Sequence, residues 1–408
     1  MEINTRSLEH NYRFLRGLAG DPFECLAIVK ANAYGHGLEL CAPAAVAAGA
    51  RWLGVTSVEE GVAARAACGG PSGEQRNEQS SAPRILAIGG VFPGQGAAAI
   101  EHHITCVVWE PYQLDELEHA ARAAGLPPQS VSVHLEIDTG MSRQGAALDA
   151  LPRLLARFAT DSPLRLEAVM THLYASDEAY GETTAAQLAR LETALEQIRS
   201  ATNSPAAAPE FLSVGASAAL LGGNADAVLK IAARSNLRPM LRLGLALYGL
   251  VPGFDPDFPP GHAPLPLHQA HQHLRPVLEW KTQVVSVRTI PAGAEVGYNG
   301  TFVATEPMRV ALIAAGYADG LDRRLGNRFS LLVRGQRAPL VGRISMDQAV
   351  LDVTEIGDVA TGDEVVILGK QGNEAITAFD HAQASGTIPW EVFTRIAPRV
   401  ERVVTTSP

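Results

Sequence analysis

Cysteine is scarce in this chain and follows no pattern. Cys25, Cys41, Cys68 and Cys106 are scattered, with no C-x-x-C pair, which excludes a disulfide framework. Long hydrophobic runs are also missing: no stretch approaches the roughly 18 apolar residues that a membrane span needs. The opening M-E-I-N-T-R-S-L-E-H has no apolar core of the kind a secretory signal carries. Positive charge is in short supply, with 33 Lys and Arg against 43 Asp and Glu and a formal charge of −10. That balance argues against general nucleic-acid binding, which needs a basic face to neutralise phosphates. It leaves room for a small anionic ligand, because local arginines and backbone N–H groups can hold one. A soluble, cytosolic protein is the expectation.

Apolar residues, at 47% of 408, are plentiful enough for a large core and more than one domain. Short greasy runs recur at Leu26–Val29, Trp52–Val55, Ile85–Ile88, Thr105–Trp109, Val131–Ile137, Leu166–Met170, Phe211–Val214 and Met240–Leu243. Helical patterns fall between them, as at Pro111–Ala124 and at Thr183–Arg199, where Leu188, Leu191, Leu195 and Ile198 recur at spacings of three and four. A leading helix over Ser7–Leu18 would use Ser7 as its N-cap. Eight such β–α units predict an α/β fold, an N-terminal (β/α)8 TIM-type barrel over residues 1–262. Gly69–Pro83 reads as a mobile polar surface loop, and Gly253–Pro276 as a linker in which His268, His271 and His273 are solvated rather than metal-bound.

Beyond the linker the hydrophobic period changes to two. Glu279–Val287, Arg309–Ala314, Phe329–Val333, Ala349–Val353 and Glu364–Leu368 predict strands, with a helix over Thr377–Ser385 and a last strand near Val400–Val404. A mostly-β C-terminal domain over residues 263–408 is expected.

In a barrel of this kind, catalytic groups sit at the C-terminal ends of the strands. Lys30, in A-I-V-K-A-N-A-Y-G-H-G (27–37), ends the first barrel strand. An isolated lysine there would ordinarily snorkel to solvent, but other strand ends are polar too. His134, Glu136 and Asp138 share one face of the fifth strand, with Arg143 just beyond; a structural ion-pair cluster would account for them equally well. His172 ends the sixth strand, Ser217 follows the seventh, and Arg242 lies inside the apolar eighth strand ahead of Gly244 and Leu245. A buried arginine needs a carboxylate or a ligand. A strand-end lysine, a core arginine and an anion cradle at strands seven and eight suit pyridoxal 5′-phosphate, whose aldehyde a lysine can hold as a Schiff base.

The stretch 27–37 resembles the cofactor-lysine motif of bacterial alanine racemases. The resemblance continues through D-T-G-M-S-R-Q-G (138–145), V-M-T-H-L-Y-A-S-D-E (169–178), R-L-G-L-A-L-Y-G (242–249) and G-Y-N-G-T-F (297–302). It runs on through G-Y-A-D-G (316–320), G-Q-R-A-P-L-V-G-R-I-S-M-D (335–347) and the closing R-I-A-P-R-V-E-R-V. It implies a pyridoxal-phosphate barrel followed by a β domain, in head-to-tail homodimers with shared sites, acting on a small amino acid. Lys30 and Tyr298 would be the two bases. Tyr34, Ser217, Gly244 and Leu245 would hold the phosphate, Arg242 would lie beside the pyridine nitrogen, and His172 would hold Arg242. Arg143 and Met346 would receive the substrate carboxylate, and Tyr317 and Asp347 would stand near the entrance.

Three positions depart from the family pattern. Glu136 stands where many members have a carbamylated lysine, and the resemblance implies that its permanent carboxylate replaces the carbamate. Trp390, in I-P-W-E, stands where a tyrosine that touches the phosphate and narrows the entrance is usual, and Ala216 where asparagine is common. Broad-specificity and serine racemases share the two-domain plan. A non-catalytic pyridoxal-phosphate carrier shares the barrel and the lysine but lacks the second domain.

Overall fold

The computed structural model describes residues 1–69, 82–178, 181–201, 208–251, 253 and 264–405. They divide into one unit of Arg6–Ala33 and Leu38–Arg275 and another of Met1–Thr5, Tyr34–Gly37 and Pro276–Pro408. The first strand, β1 (Glu2–Asn4), belongs to the second of these.

The larger unit is a closed parallel barrel of β2 (Glu24–Ile28), β3 (Trp52–Val55), β4 (Arg84–Ala87), β5 (Ile104–Val108), β6 (Val131–Glu136), β7 (Leu164–Thr171), β8 (Phe211–Ala216) and β9 (Arg238–Leu243). Closure comes from β2 pairing with β9, with Leu26 opposite Arg242. The eight expected strands are all present, with ends shifted by two residues at most. They are legible because a strand buried between barrel interior and helix ring reads as a continuous apolar run. Helices Pro111–Ala123 and Glu182–Ala201 also stand where the periodicity puts them.

A buried ion cluster fills the N-terminal ends of these strands. Glu167 accepts from Arg84 at 2.5 Å and Arg165 at 2.6 Å, His134 Nε2 lies 3.4 Å away, and Arg84 stacks 3.9 Å over Trp52. Burial pushes the Glu167 carboxyl up, yet His134 and Arg84 hold it at about 2. The ion pairs of this cluster are those of Glu167 with Arg84 and Arg165; His134 is buried beside them, its pKa lowered by burial, and polar residues at this face of a barrel serve stability.

The second unit is built on β10 (Leu278–Ile290), β11 (Glu295–Val296), β12 (Phe302–Val303), β13 (Met308–Ile313), β14 (Ser330–Val333), β15 (Gln336–Pro339), β16 (Ala349–Asp352), β17 (Glu364–Gln371), β18 (Glu374–Ile376) and β19 (Val403–Thr405). The main sheet runs β15-β14-β17-β10-β1-β19, with β13 joining β10 to β16. The helix Ala378–Ser385 starts on a capping box: Thr377 Oγ1 accepts from Asp380 N, and Asp380 Oδ2 accepts from Thr377 N at 2.7 Å.

Two expectations need correcting. The leading helix begins at Thr5, so Ser7 is a buried residue of its first turn rather than the N-cap. The segment read as a linker contains the helix Leu265–His273, whose Leu267 and Ala270 are buried and whose three histidines are exposed. Residues 70–81 of the expected loop, and the expected division at 262/263, lie outside the described residues.

Candidate active site

Lys30 follows β2 with only Val29 between, and the strand's backbone is held by two buried tyrosines. Tyr12 Oη donates to the Cys25 carbonyl at 3.1 Å and Tyr248 Oη to the Ile28 carbonyl at 2.8 Å. Ala31, Asn32, Ala33 and Tyr34 then make one left-handed turn, with φ of 52, 53, 55 and 52°. Such a turn costs L-residues roughly 1–2 kcal/mol each. It persists because Asn32 is tied on both sides: its N–H donates to Glu60 Oε1 at 3.2 Å and its Oδ1 accepts from Leu38 N at 2.7 Å. Burial, then the charges of Arg143 and Arg242, lower the Lys30 ammonium pKa from its usual 10.5. That favours a neutral amine, the form that acts as nucleophile or base.

Arg242 is 4% exposed and almost fully engaged. Its Nη1 donates to the Ser213 carbonyl and to Ser213 Oγ, both at 2.9 Å. Its Nη2 donates to the Thr171 carbonyl at 2.8 Å and to His172 Nδ1 at 3.0 Å. Those four bonds use all four Nη protons; among the described residues the Nε–H is the donor left over. Burial lowers the guanidinium to about 10, so it stays charged at neutral pH. Burial, with Arg242, Arg143 and Lys30, holds His172 at about 3. The imidazole is therefore neutral, accepting at Nδ1 and carrying its proton on Nε2.

Ser217 and Gly244 are brought together as expected: Ser217 Oγ accepts from Gly244 N at 3.0 Å, and both are buried. A serine hydroxyl that accepts one N–H keeps its own proton to donate. Leu245 opens the 3-10 turn Leu245–Tyr248 beside it, and Ala216 ends β8.

Glu136 is buried, and burial raises its carboxyl above the ordinary range. Its carboxylate accepts from Gln144 Nε2, which also reaches the Ile88 carbonyl at 3.1 Å. The bond to Glu136 thus comes from Gln144, one residue beyond Arg143. The loop carrying Arg143 is pinned at its base, where Ala146 N donates to Glu136 O at 2.7 Å and Asp138 N to Ala146 O at 3.0 Å. Gly145 (φ +111°) permits this closure, since a Cβ there would come within 2.5 Å of Asp138 N. Arg143 itself is exposed at the loop tip.

The other expected residues lie in the second unit. Tyr34 is buried, its hydroxyl pushed up to about 12 by burial. Tyr298 opens the turn Tyr298–Gly300 and is 66% exposed. Tyr317 and Met346 are also exposed, on two turns locked together by Tyr317 N donating to Ser345 O at 3.0 Å and Ala318 N to Met346 O at 2.9 Å. Asp347 pairs with Arg399 at 2.7 Å, which also holds Asp319. Trp390 is half-buried on the helix Pro389–Thr394. An open cavity of about 420 Å³ adjoins Tyr317, lined also by Asp322, Arg323, Arg324 and Arg395.

Residues 3–252 match the alanine racemase N-terminal domain and residues 277–404 the alanine racemase C-terminal domain. The chain belongs to the alanine racemase family. Alanine racemase of Symbiobacterium thermophilum is 36% identical over 401 residues, which cover 98% of this chain and 95% of that protein. The crystal structure of alanine racemase from D-cycloserine-producing Streptomyces lavendulae aligns with a TM-score of 0.82 at 33% identity, over 100% of this chain and 97% of that one. The structure of the Bartonella henselae alanine racemase, which has covalently bound pyridoxal phosphate, aligns at 0.78 with 25% identity, over 99% and 98% of the two chains.

Alanine racemases depend on pyridoxal 5′-phosphate, and the residues of this family member fit it. The lysine amine is kept partly desolvated, the buried guanidinium has one donor uncommitted, and Ser217 and Gly244 meet at a short helix start. Sequence reasoning missed Thr139, Thr171, Gln187 and Ser213, which support these groups. Gln187 had a signal: it lies on the apolar stripe of its helix with Thr184, Leu188 and Leu191, where an unexplained amide must find buried partners.

Proposed function

We propose that this enzyme interconverts L- and D-alanine, with Lys30 and Tyr298 as the two bases, and supplies D-alanine for peptidoglycan from the cytoplasm. Removing and returning a proton on one face would restore the same enantiomer, so racemisation requires two groups on opposite faces. Bound pyridoxal phosphate withdraws electrons from the Cα–H bond of the amino acid it carries. Lys30 would hold the cofactor and take or give the Cα proton on one face, and Tyr298 would do so on the other. Ser217, Gly244, Leu245 and Tyr34 would bind the phosphate, with Trp390 filling space beside it.

The observation that carries this reading is Arg242. A guanidinium locked by Ser213, Thr171 and His172 offers a donor that keeps its proton at neutral pH. A pyridine nitrogen held beside it would stay unprotonated, which would favour simple return of the proton over transamination. Arg143 and Met346 would receive the substrate carboxylate, and Glu136 would supply the fixed negative charge beneath the Arg143 loop. Tyr317 and Asp347 would stand at the entrance.

A head-to-tail homodimer would complete each site, with Tyr298 reaching the partner's barrel. The exposure of Tyr298, Tyr317 and Met346 supports this, since large side chains left in solvent commonly mark an interface. Among the described residues no helix is long and apolar enough to cross a membrane. The test is to incubate the loaded protein with L-alanine, L-serine and L-lysine separately and measure each D-enantiomer by chiral chromatography. A strong preference for alanine is expected. Comparable turnover of serine or lysine would make it a broader racemase with Trp390 as a looser gate, and no turnover with bound cofactor would reject the activity.

A further inference from the structure

Two loops of the site, those carrying Arg143 and His172, are tied together by a side chain that touches neither substrate nor cofactor in the reading above. Gln187, on the helix Glu182–Ala201, is fully buried, with both Nε2 protons and Oε1 engaged. Its Nε2 donates to Thr139 Oγ1 and to the His172 carbonyl, both at 3.0 Å, and its Oε1 accepts from Tyr174 N at 3.1 Å. Tyr174 N can only donate, so the orientation of the amide is fixed. The chain of donors then has one direction. Thr171 Oγ1 donates to Ile137 O at 2.9 Å, so Thr139 must donate to Thr171 Oγ1 across 2.8 Å and accept from Gln187.

This places one amide between two loops. Thr139 opens the loop that carries Arg143, and Arg190 of the same helix holds its carbonyl at 2.7 Å. His172 and Thr171 are the two residues that accept from Arg242 Nη2. We infer that Gln187 is a positioning residue that sets the Asp138–Arg143 loop and the His172–Arg242 pair in register with each other. A chain of buried, mutually polarising hydrogen bonds suits that task, because partial loss of such a network costs more than its absence. The inference rests on the proposed role of Arg143 toward the substrate carboxylate.

The test uses the full-length, cofactor-loaded enzyme with Gln187→Leu, Thr139→Val and Thr139→Ser. Five quantities are read: melting temperature, KM and kcat for L-alanine, the absorption spectrum of the bound cofactor, and hydrogen–deuterium exchange over residues 138–146. Thr139→Val removes the loop's side-chain bonds to Gln187 and to Thr171 Oγ1 but leaves the Gln187–His172 bond and the Thr171 carbonyl in place, so KM should rise on the order of tenfold, the effect of about one buried hydrogen bond, with a smaller change in kcat. Exchange over 138–146 should quicken and the spectrum stay as in the parent. Gln187→Leu should do the same and also alter the spectrum, through His172 and Arg242. Thr139→Ser keeps the hydroxyl and should restore the parent KM.

A lowered melting temperature with unchanged KM and loop exchange would mean a merely structural amide and would overturn the inference. If Gln187→Leu does not fold, the Thr139 pair decides alone, and equal KM and exchange for Val and Ser overturn it. Arg143→Ala is the control for the underlying reading. If it leaves KM unchanged, Arg143 does not bind substrate, and loop exchange in Thr139→Val then becomes the deciding measurement, parent-like exchange overturning the inference.

Discussion

Arg242 Nη2 donates to the unprotonated Nδ1 of His172 at 3.0 Å, and the same nitrogen donates to the carbonyl of Thr171 at 2.8 Å. The imidazole can accept because burial and three nearby cations hold it at about 3. His172→Leu leaves a buried guanidinium N–H without its acceptor, at a cost of about 1–3 kcal/mol. His172→Gln, which offers an amide oxygen, should recover part of that loss. Thermal unfolding of the two variants measures the difference; equal melting temperatures would contradict the pairing.

Lys30 should govern the acidic side of the rate profile. Its folded-state pKa lies below 10.5, and the neutral amine is the competent form. Lys30 is a free amine only after the substrate amine has displaced it from the cofactor, so kcat, which reports the bound complex, should rise with pH through that lowered pKa and then level off. Lys30→Ala should lower kcat by on the order of 10³ or more. Borohydride reduction followed by peptide mass mapping should find the cofactor on Lys30 and nowhere else.

Tyr298→Phe should separate proton exchange from racemisation. With one base left, one enantiomer of alanine should still exchange its Cα hydrogen in deuterated water, while formation of the opposite enantiomer falls by roughly 10²–10⁴. Exchange and racemisation falling together for both enantiomers would mean that Tyr298 is not a facial base.

Glu136 should make the site independent of dissolved carbon dioxide. A glutamate cannot be carbamylated, and its side chain is held by Gln144 Nε2. Rates in buffer stripped of carbon dioxide should match those with added bicarbonate. A loss restored by bicarbonate would place a carbamate elsewhere in the site.

Acid should weaken the second unit through His381, buried and donating from Nε2 to the Ile367 carbonyl at 2.8 Å. Burial, more than any neighbour, lowers it from 6.5 to about 4. The unfolded chain thus binds more protons between those values. The stability that comes from keeping His381 neutral is complete above pH 6.5 and is lost as the pH falls through that range towards 4. His381→Gln should lose less melting temperature than the parent over that interval, as followed by calorimetry.

The candidate site was legible where chemistry and strand position coincide. Lys30, Arg242, Ser217 and Gly244 stand out because each is a polar or glycine residue closing or interrupting a buried apolar run. The roles given to Tyr298, Met346 and Trp390 came from resemblance alone, since an exposed tyrosine after a turn carries no local mark of function. Gln187, Thr139 and Thr171 were overlooked because a single polar residue on an apolar stripe does not name its partners.

Local pattern by itself determined the eight barrel strands, the switch to a period of two after residue 276, and the alternation of strand and helix. These depend on which faces are buried, and burial is written into the spacing of apolar residues. Only the tertiary structure decided that Glu2–Asn4 pairs with Leu278–Ile290 and Val403–Thr405, that Ala31–Tyr34 turns left-handed, and that Gln187 joins two loops. Each depends on partners far away in the chain or on neighbours that offset a local cost, and no window of residues contains them.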